Sequence, residues 1–198
     1  MDPSSREFVK HVRSHLHEHD FRLVMGRGRT LNCGMGRCSG YYDSESKEIR
    51  VARGHPDMIA TLLHEYCHFL QYLELPKRRN DAADNANLIV VEWLEGKEFP
   101  QNRLDWAFRM VRWFERDCER RSVALISKFN LKICPVLYTQ KANLYLYFWH
   151  MVERRRKWNW TSKRLFTNPS LVRVMPTDFR AKSDTVIPPH ILELLDQF

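Results

Sequence analysis

At about Pro56 the hydrophobic pattern of this 198-residue chain changes period, and that change limits the fold more than any other feature. Downstream, Met58, Ile59, Leu62, Leu63, Phe69, Leu70 and Leu73 recur every three to four residues, the spacing of one buried helical face. Pro56 sits near the start of that helix, where its missing N–H costs little, and Pro76 with Lys77-Arg78-Arg79-Asn80 ends it. Upstream, Phe8, Val9, Val12 and Leu16 predict an amphipathic helix over 5–19, and 21–25 reads as a short strand. Gly26-Arg27-Gly28 and Gly34-Met35-Gly36 mark turns, without the strand-glycine-helix-lysine order of a nucleotide-binding loop. Tyr41-Tyr42, the turn-like Asp43-Ser44-Glu45-Ser46 and Ile49-Arg50-Val51-Ala52 read as a hairpin or two edge strands. Helices are predicted over 88–94, 102–129 and 138–158, with a short one over 191–197 in an otherwise irregular end. Strands come first and helices follow, so the expected class is α+β, a small N-terminal antiparallel sheet ahead of several long helices.

The helix after Pro56 carries Leu62-Leu63-His64-Glu65-Tyr66-Cys67-His68-Phe69-Leu70, which contains the pattern H-E-x-x-H. Residues four apart share a helical face, so His64 and His68 can offer two imidazole nitrogens to one zinc ion. Glu65 is placed to reach a water on that metal and to take its proton as the water attacks a carbonyl. The plainer reading is a helix whose histidines only hydrogen-bond their neighbours. A catalytic zinc commonly takes a third protein ligand. Glu115 and Glu119 lie four apart in the predicted 102–129 helix; one could bind the metal while the other orients a ligand histidine. Against that, Arg116, Arg120 and Arg121 could simply pair with them on a solvated face.

With these two motifs the chain resembles the gluzincin metallopeptidases, and most of all their minimal ImmA/IrrE-type domains. Glu115-Arg116-Asp117-Cys118-Glu119-Arg120-Arg121-Ser122 lines up with the E-x-E-A-[N/D]-x-x-A helix of those domains, with Asp for Glu, Cys for Ala and Glu for Asn or Asp. The resemblance runs from about Gly40 to Ile126 and implies a zincin-like fold and hydrolysis of peptide bonds. It further implies His64, His68 and Glu115 as zinc ligands, Glu65 as general base and Glu119 as the supporting acid. Ile49-Arg50-Val51-Ala52 looks like the family's edge strand, which holds extended substrate. Many gluzincins steady the oxyanion with a Tyr or His, for which Tyr138, Tyr145 and His150 are the candidates. The SprT-like proteases share the first motif but use a third histidine, and none is well placed here. Residues 75–109 depart from the pattern as an insertion, and 151–198 form a basic extension without a counterpart. The whole, 1–198, is expected to be one domain.

Composition sets the surroundings. Hydrophobic residues make up 43% and aromatic residues 12%, enough for a packed core. There is no apolar run of membrane-spanning length and no basic-then-apolar leader, so the expectation is a cytoplasmic protein with reduced thiols. The five cysteines, Cys33, Cys38, Cys67, Cys118 and Cys134, read as small buried hydrophobes rather than a disulfide framework or a second zinc site. His11, His15, His17 and His19 read as a solvated polar face. The net charge of +8 favours an acidic partner. Arg154-Arg155-Arg156-Lys157-Trp158-Asn159-Trp160, with Lys163 and Arg164 beyond, supports a second reading as a nucleic-acid-associated protein; the plainer one is a basic helix end. The first reading is a zinc hydrolase acting on protein or peptide. A hydrolase of another amide or ester would use the same chemistry.

Overall fold

A computed structural model describes residues 1–33, 36–158, 165–179 and 186–198. The first elements are α1 (Pro3–Glu18), β1 (Arg22–Gly26), β2 (Leu31–Cys33), β3 (Gly36–Cys38), β4 (Gly40–Asp43) and β5 (Glu48–Ala52). Helices follow: α2 (Met58–Glu74), α3 (Lys77–Leu94), α4 (Gln101–Lys128), α5 (Pro135–Arg155), α6 (Pro169–Arg173) and α7 (Pro189–Asp196). The class is α+β, small sheets and then long helices. None of the helices among the described residues is long and apolar enough to cross a membrane. The chain forms two compact units, Met1–Leu75 with Arg121–Ile133, and Pro76–Arg120 with Cys134–Phe198.

In the first unit, α1 begins where Asp2 accepts from the Ser5 N–H (3.2 Å) and from the Ser4 and Ser5 hydroxyls (2.7 and 2.6 Å). It buries Phe8, Val9, Val12 and Leu16, the predicted stripe. Its end is a Schellman turn. Asp20 adopts φ 60°, the Asp20 N–H reaches the His17 carbonyl (3.2 Å) and the Phe21 N–H reaches that of Leu16 (2.8 Å). Asn130 at φ 47° closes α4 the same way, and Gly96 at φ 109° closes α3.

The main sheet has the order β1-β5-β4. β4 and β5 form the expected antiparallel hairpin, with Tyr41 opposite Arg50. Asp43 shapes the turn by accepting from the Glu45 N–H (2.9 Å), the Ser46 N–H (3.2 Å) and the Ser46 hydroxyl (2.6 Å). β1, however, runs parallel to β5, from Arg22 opposite Glu48 to Gly26 opposite Ala52. The sheet is therefore mixed, not antiparallel throughout, and a separate β2–β3 ribbon lies between its first two strands in the chain. The 49–52 strand is also central, not an edge: Glu48, Ile49, Val51 and Ala52 are all buried, which requires cover on both faces. β4 is the terminal strand on that side.

The second unit is helical. Trp93, Phe108, Tyr147, Phe148, Trp149, Leu171, Ile191 and Leu195 of α3 to α7, with Met175 just after α6, belong to one buried cluster. Residues 75–109, set apart in the sequence as an insertion, build α3 and the start of α4. The Lys77-Arg78-Arg79-Asn80 run that closes α2 is itself the first turn of α3. Asn143 on α5 donates to the carbonyls of Pro176 (2.9 Å) and Asp178 (2.7 Å), fastening the following segment.

Candidate metal centre

The motif sits in the middle of α2. Leu62, Leu63, Tyr66 and Phe69 are buried, whereas His64, Glu65 and His68 are half-buried. The two imidazoles meet edge to face, with ring centroids 4.7 Å apart and planes at 88°. Their Nε2 atoms approach to 3.1 Å, which the spacing of four permits by placing both on one helical face. His68 Nδ1 lies 2.9 Å from Gln71 Oε1. An amide oxygen only accepts, so His68 carries its proton on Nδ1 and turns the Nε2 lone pair toward His64. Burial first, and the His64 ring second, push the His68 pKa down to about 3. It is thus the neutral ring, the form that ligates a metal.

Among the described residues one group of three could hold a metal ion: His64, His68 and Cys118, each offering a ligand atom, all within 4.8 Å of one another. Cys118 is buried on α4. It shares a helical stripe with Glu115, Glu119 and Ser122, and the Ser122 hydroxyl meets Cys67 Sγ of α2 at 3.3 Å. Glu115, half-buried, and Glu119, buried, stand on either side of Cys118 along that stripe; neither is one of the three. Two nitrogens and a sulfur at this spacing could hold a metal ion that accepts imidazole and thiolate together.

The helix is held from several sides. Gly40 lets β4 close on it, since a Cβ there would stand 2.6 Å from Thr61 Cγ2 and 2.9 Å from the Arg50 carbonyl. Thr61 is one turn ahead of Glu65, and its hydroxyl donates to Ser39 Oγ (3.2 Å). On another side the Tyr66 hydroxyl lies 2.7 Å from His15 Nδ1 and 3.1 Å from His11 Nε2. These two histidines are half-buried and join α1 to the motif helix, contrary to the solvated face expected of them. Their spacing was visible; Tyr66 was not a foreseeable partner because it lies 51 residues or more away.

Tyr138, Tyr145 and His150 lie on α5, where Tyr145 packs on Trp149 and Phe166 (6.2 Å each) and His150 on Tyr147 (6.4 Å). In the basic segment, Arg154 and Arg155 pair with Asp196 (3.3 and 3.2 Å), and Arg156 pairs with Glu98 (2.6 Å) over the Trp93 ring. Trp158 packs on Phe148 and Trp149. Asn159, Trp160, Lys163 and Arg164 lie outside the described residues. Of the cysteines, Cys67 and Cys118 are buried, Cys33 and Cys38 half-buried, and Cys134 is exposed rather than buried.

Two participants escaped the sequence reading. Gln71 had a signal, a glutamine one turn after His68 in an otherwise apolar stretch. Cys118 had none beyond its place between two glutamates. No protein family, curated protein or solved structure matches the chain.

Proposed function

We propose that this protein is a zinc-dependent hydrolase of peptide bonds, with His64 and His68 as metal ligands and Glu65 as general base. The carrying observation is the pair of Nε2 atoms 3.1 Å apart with the His68 tautomer held by Gln71. A bound zinc supplies a Lewis acid and brings the pKa of its water to about 7. Gln71 keeps the His68 lone pair directed at the site, so little reorganisation accompanies loading. Glu65 neighbours His64 in sequence and takes the proton of the attacking water, later returning it to the leaving amine. As third protein ligand, Cys118 is favoured over Glu115 by its place within 4.8 Å of both histidines. Glu119 supports the site from the same stripe. β4, terminal in its sheet and packed on α2 one turn before Glu65, offers backbone groups to an extended peptide.

The test is metal analysis joined to cleavage of a peptide library. Purified protein carries about one zinc per chain, His64→Ala and His68→Ala lose it, and cleavage stops with a chelator. Glu65→Gln keeps zinc and fold but loses a hundredfold or more of the rate, on the order expected for a general base. Full cleavage by that variant, or by exhaustively chelated protein, refutes the mechanism.

A further inference from the structure

The proposed function leaves the substrate open, and the segment leading into the motif helix bears on it. From Leu23 to Tyr42 the chain has three arginines, Arg27, Arg29 and Arg37, and no carboxylate. The structure adds a fourth, Arg53, to the same place. The Arg53 N–H donates to the Gly26 carbonyl (2.8 Å) and the Gly54 N–H to that of Gly28 (3.0 Å), stitching the loop after β5 to the loop after β1. Arg37 Nε donates to Thr30 Oγ1 (2.8 Å), which ties the β2–β3 ribbon to the same loop. All four arginines are exposed, and among the described residues none of the four is ion-paired. Some arginines elsewhere are ion-paired, Arg22 and Arg50 with Glu48, Arg121 with Glu74 and Arg112 with Glu153.

This cluster borders the catalytic residues. Arg37 precedes Cys38, a thiol close enough to Glu65 to feel its charge, and Ser39 and Gly40 lie on Thr61 one turn before Glu65. We propose that Arg27, Arg29, Arg37 and Arg53 form a cationic rim that binds acidic polypeptide. That its ligand is also the substrate rests on the hydrolase reading. Guanidinium matches carboxylate with two parallel hydrogen bonds, and the terminal strand β4 next to the rim can pair an extended backbone. A nucleic acid would find phosphate contacts, but residues 23–40 contain no aromatic ring, and the next two, Tyr41 and Tyr42 of β4, are engaged with Glu48 and with Phe21.

The experiment measures binding, so that it stands apart from turnover. The full chain carrying Glu65→Gln is titrated, by fluorescence anisotropy, against three labelled probes of about ten units each, the span of a β-strand-length ligand. These are a peptide with Glu at alternate positions, the same peptide with Gln there, and a single-stranded oligodeoxynucleotide. The Glu peptide binds tightest, and its affinity falls with added salt. Changing the four arginines together to Gln weakens it at least about tenfold, the sum of several exposed ion pairs. Arg13→Gln, on exposed α1 surface, leaves it unchanged, and matching circular dichroism shows that the rim variant folds. Equal binding of the Glu and Gln peptides overturns the rim, and so does an unaltered affinity in the rim variant. An oligonucleotide that binds tighter and is lost with the same four arginines overturns it in favour of nucleic acid. Absence of zinc or of cleavage in the parental protein overturns the hydrolase instead, because neither enters this measurement.

Discussion

Replacing Gln71 with Leu removes the acceptor of the His68 Nδ1 proton and keeps the volume, and it tests the metal centre without touching a ligand. Gln71 is fully buried, and its Oε1 accepts the His68 Nδ1 proton at 2.9 Å. Without it His68 can exchange tautomers, and in one of the two Nε2 carries the proton and cannot bind metal. Loss of such a partner costs about 10–100-fold in metal affinity, which is about 1.4–2.7 kcal/mol. The metal-free protein suffers separately, because an unsatisfied buried N–H costs about 1–3 kcal/mol. At roughly 2–4 °C per kcal/mol for a chain of this size, the midpoint falls by several degrees. Zinc affinity is measured by competition with a chelator of known strength, and metal-free stability by thermal circular dichroism. Gln71→Glu is the companion variant; it keeps the acceptor, adds negative charge and binds zinc at least as tightly as the parent. If Gln71→Leu folds and holds zinc with parental affinity, the orienting role argued for Gln71 is wrong.

Three further outcomes follow from the same geometry. Cys118→Ala purifies without zinc while Glu115→Ala retains it, as metal analysis would show; the opposite order makes Glu115 the ligand. Burial first, and neighbouring cations second, hold His11 and His15 below the ordinary histidine value. Their contribution to stability is therefore whole above the unfolded pKa of about 6.5 and is lost as pH falls below it. The melting midpoint of the parent drops more between about pH 7 and pH 5 than that of a His11→Gln/His15→Gln variant, and parallel pH curves would contradict this. Gly40→Ala forces a methyl against Thr61 and the Arg50 carbonyl; it lowers stability by about 1–3 kcal/mol in denaturant titration and slows peptide cleavage. An unchanged midpoint would mean that β4 is not held against α2 there.

What the sequence determined by itself is whatever depends on neighbours within a helical turn. His64 and His68 meet because four residues make about one turn of any α-helix. Gln71 reaches His68 by the same rule and was legible, though unread. The stops at Asp20, Gly96 and Asn130 are local too, since each needs one residue that tolerates positive φ. Tertiary structure alone decided which distant surfaces meet. Nothing in the alternation of 49–52 says that β1 lies parallel beside it, because a strand offers the same hydrogen-bonding groups to either neighbour. Nor does local pattern distinguish a solvated arginine from Arg156, whose partner Glu98 is 58 residues away. Cys118 was read as filler because a thiol's chemistry depends on what faces it, and His64 and His68 come within 4.8 Å only once the chain has folded.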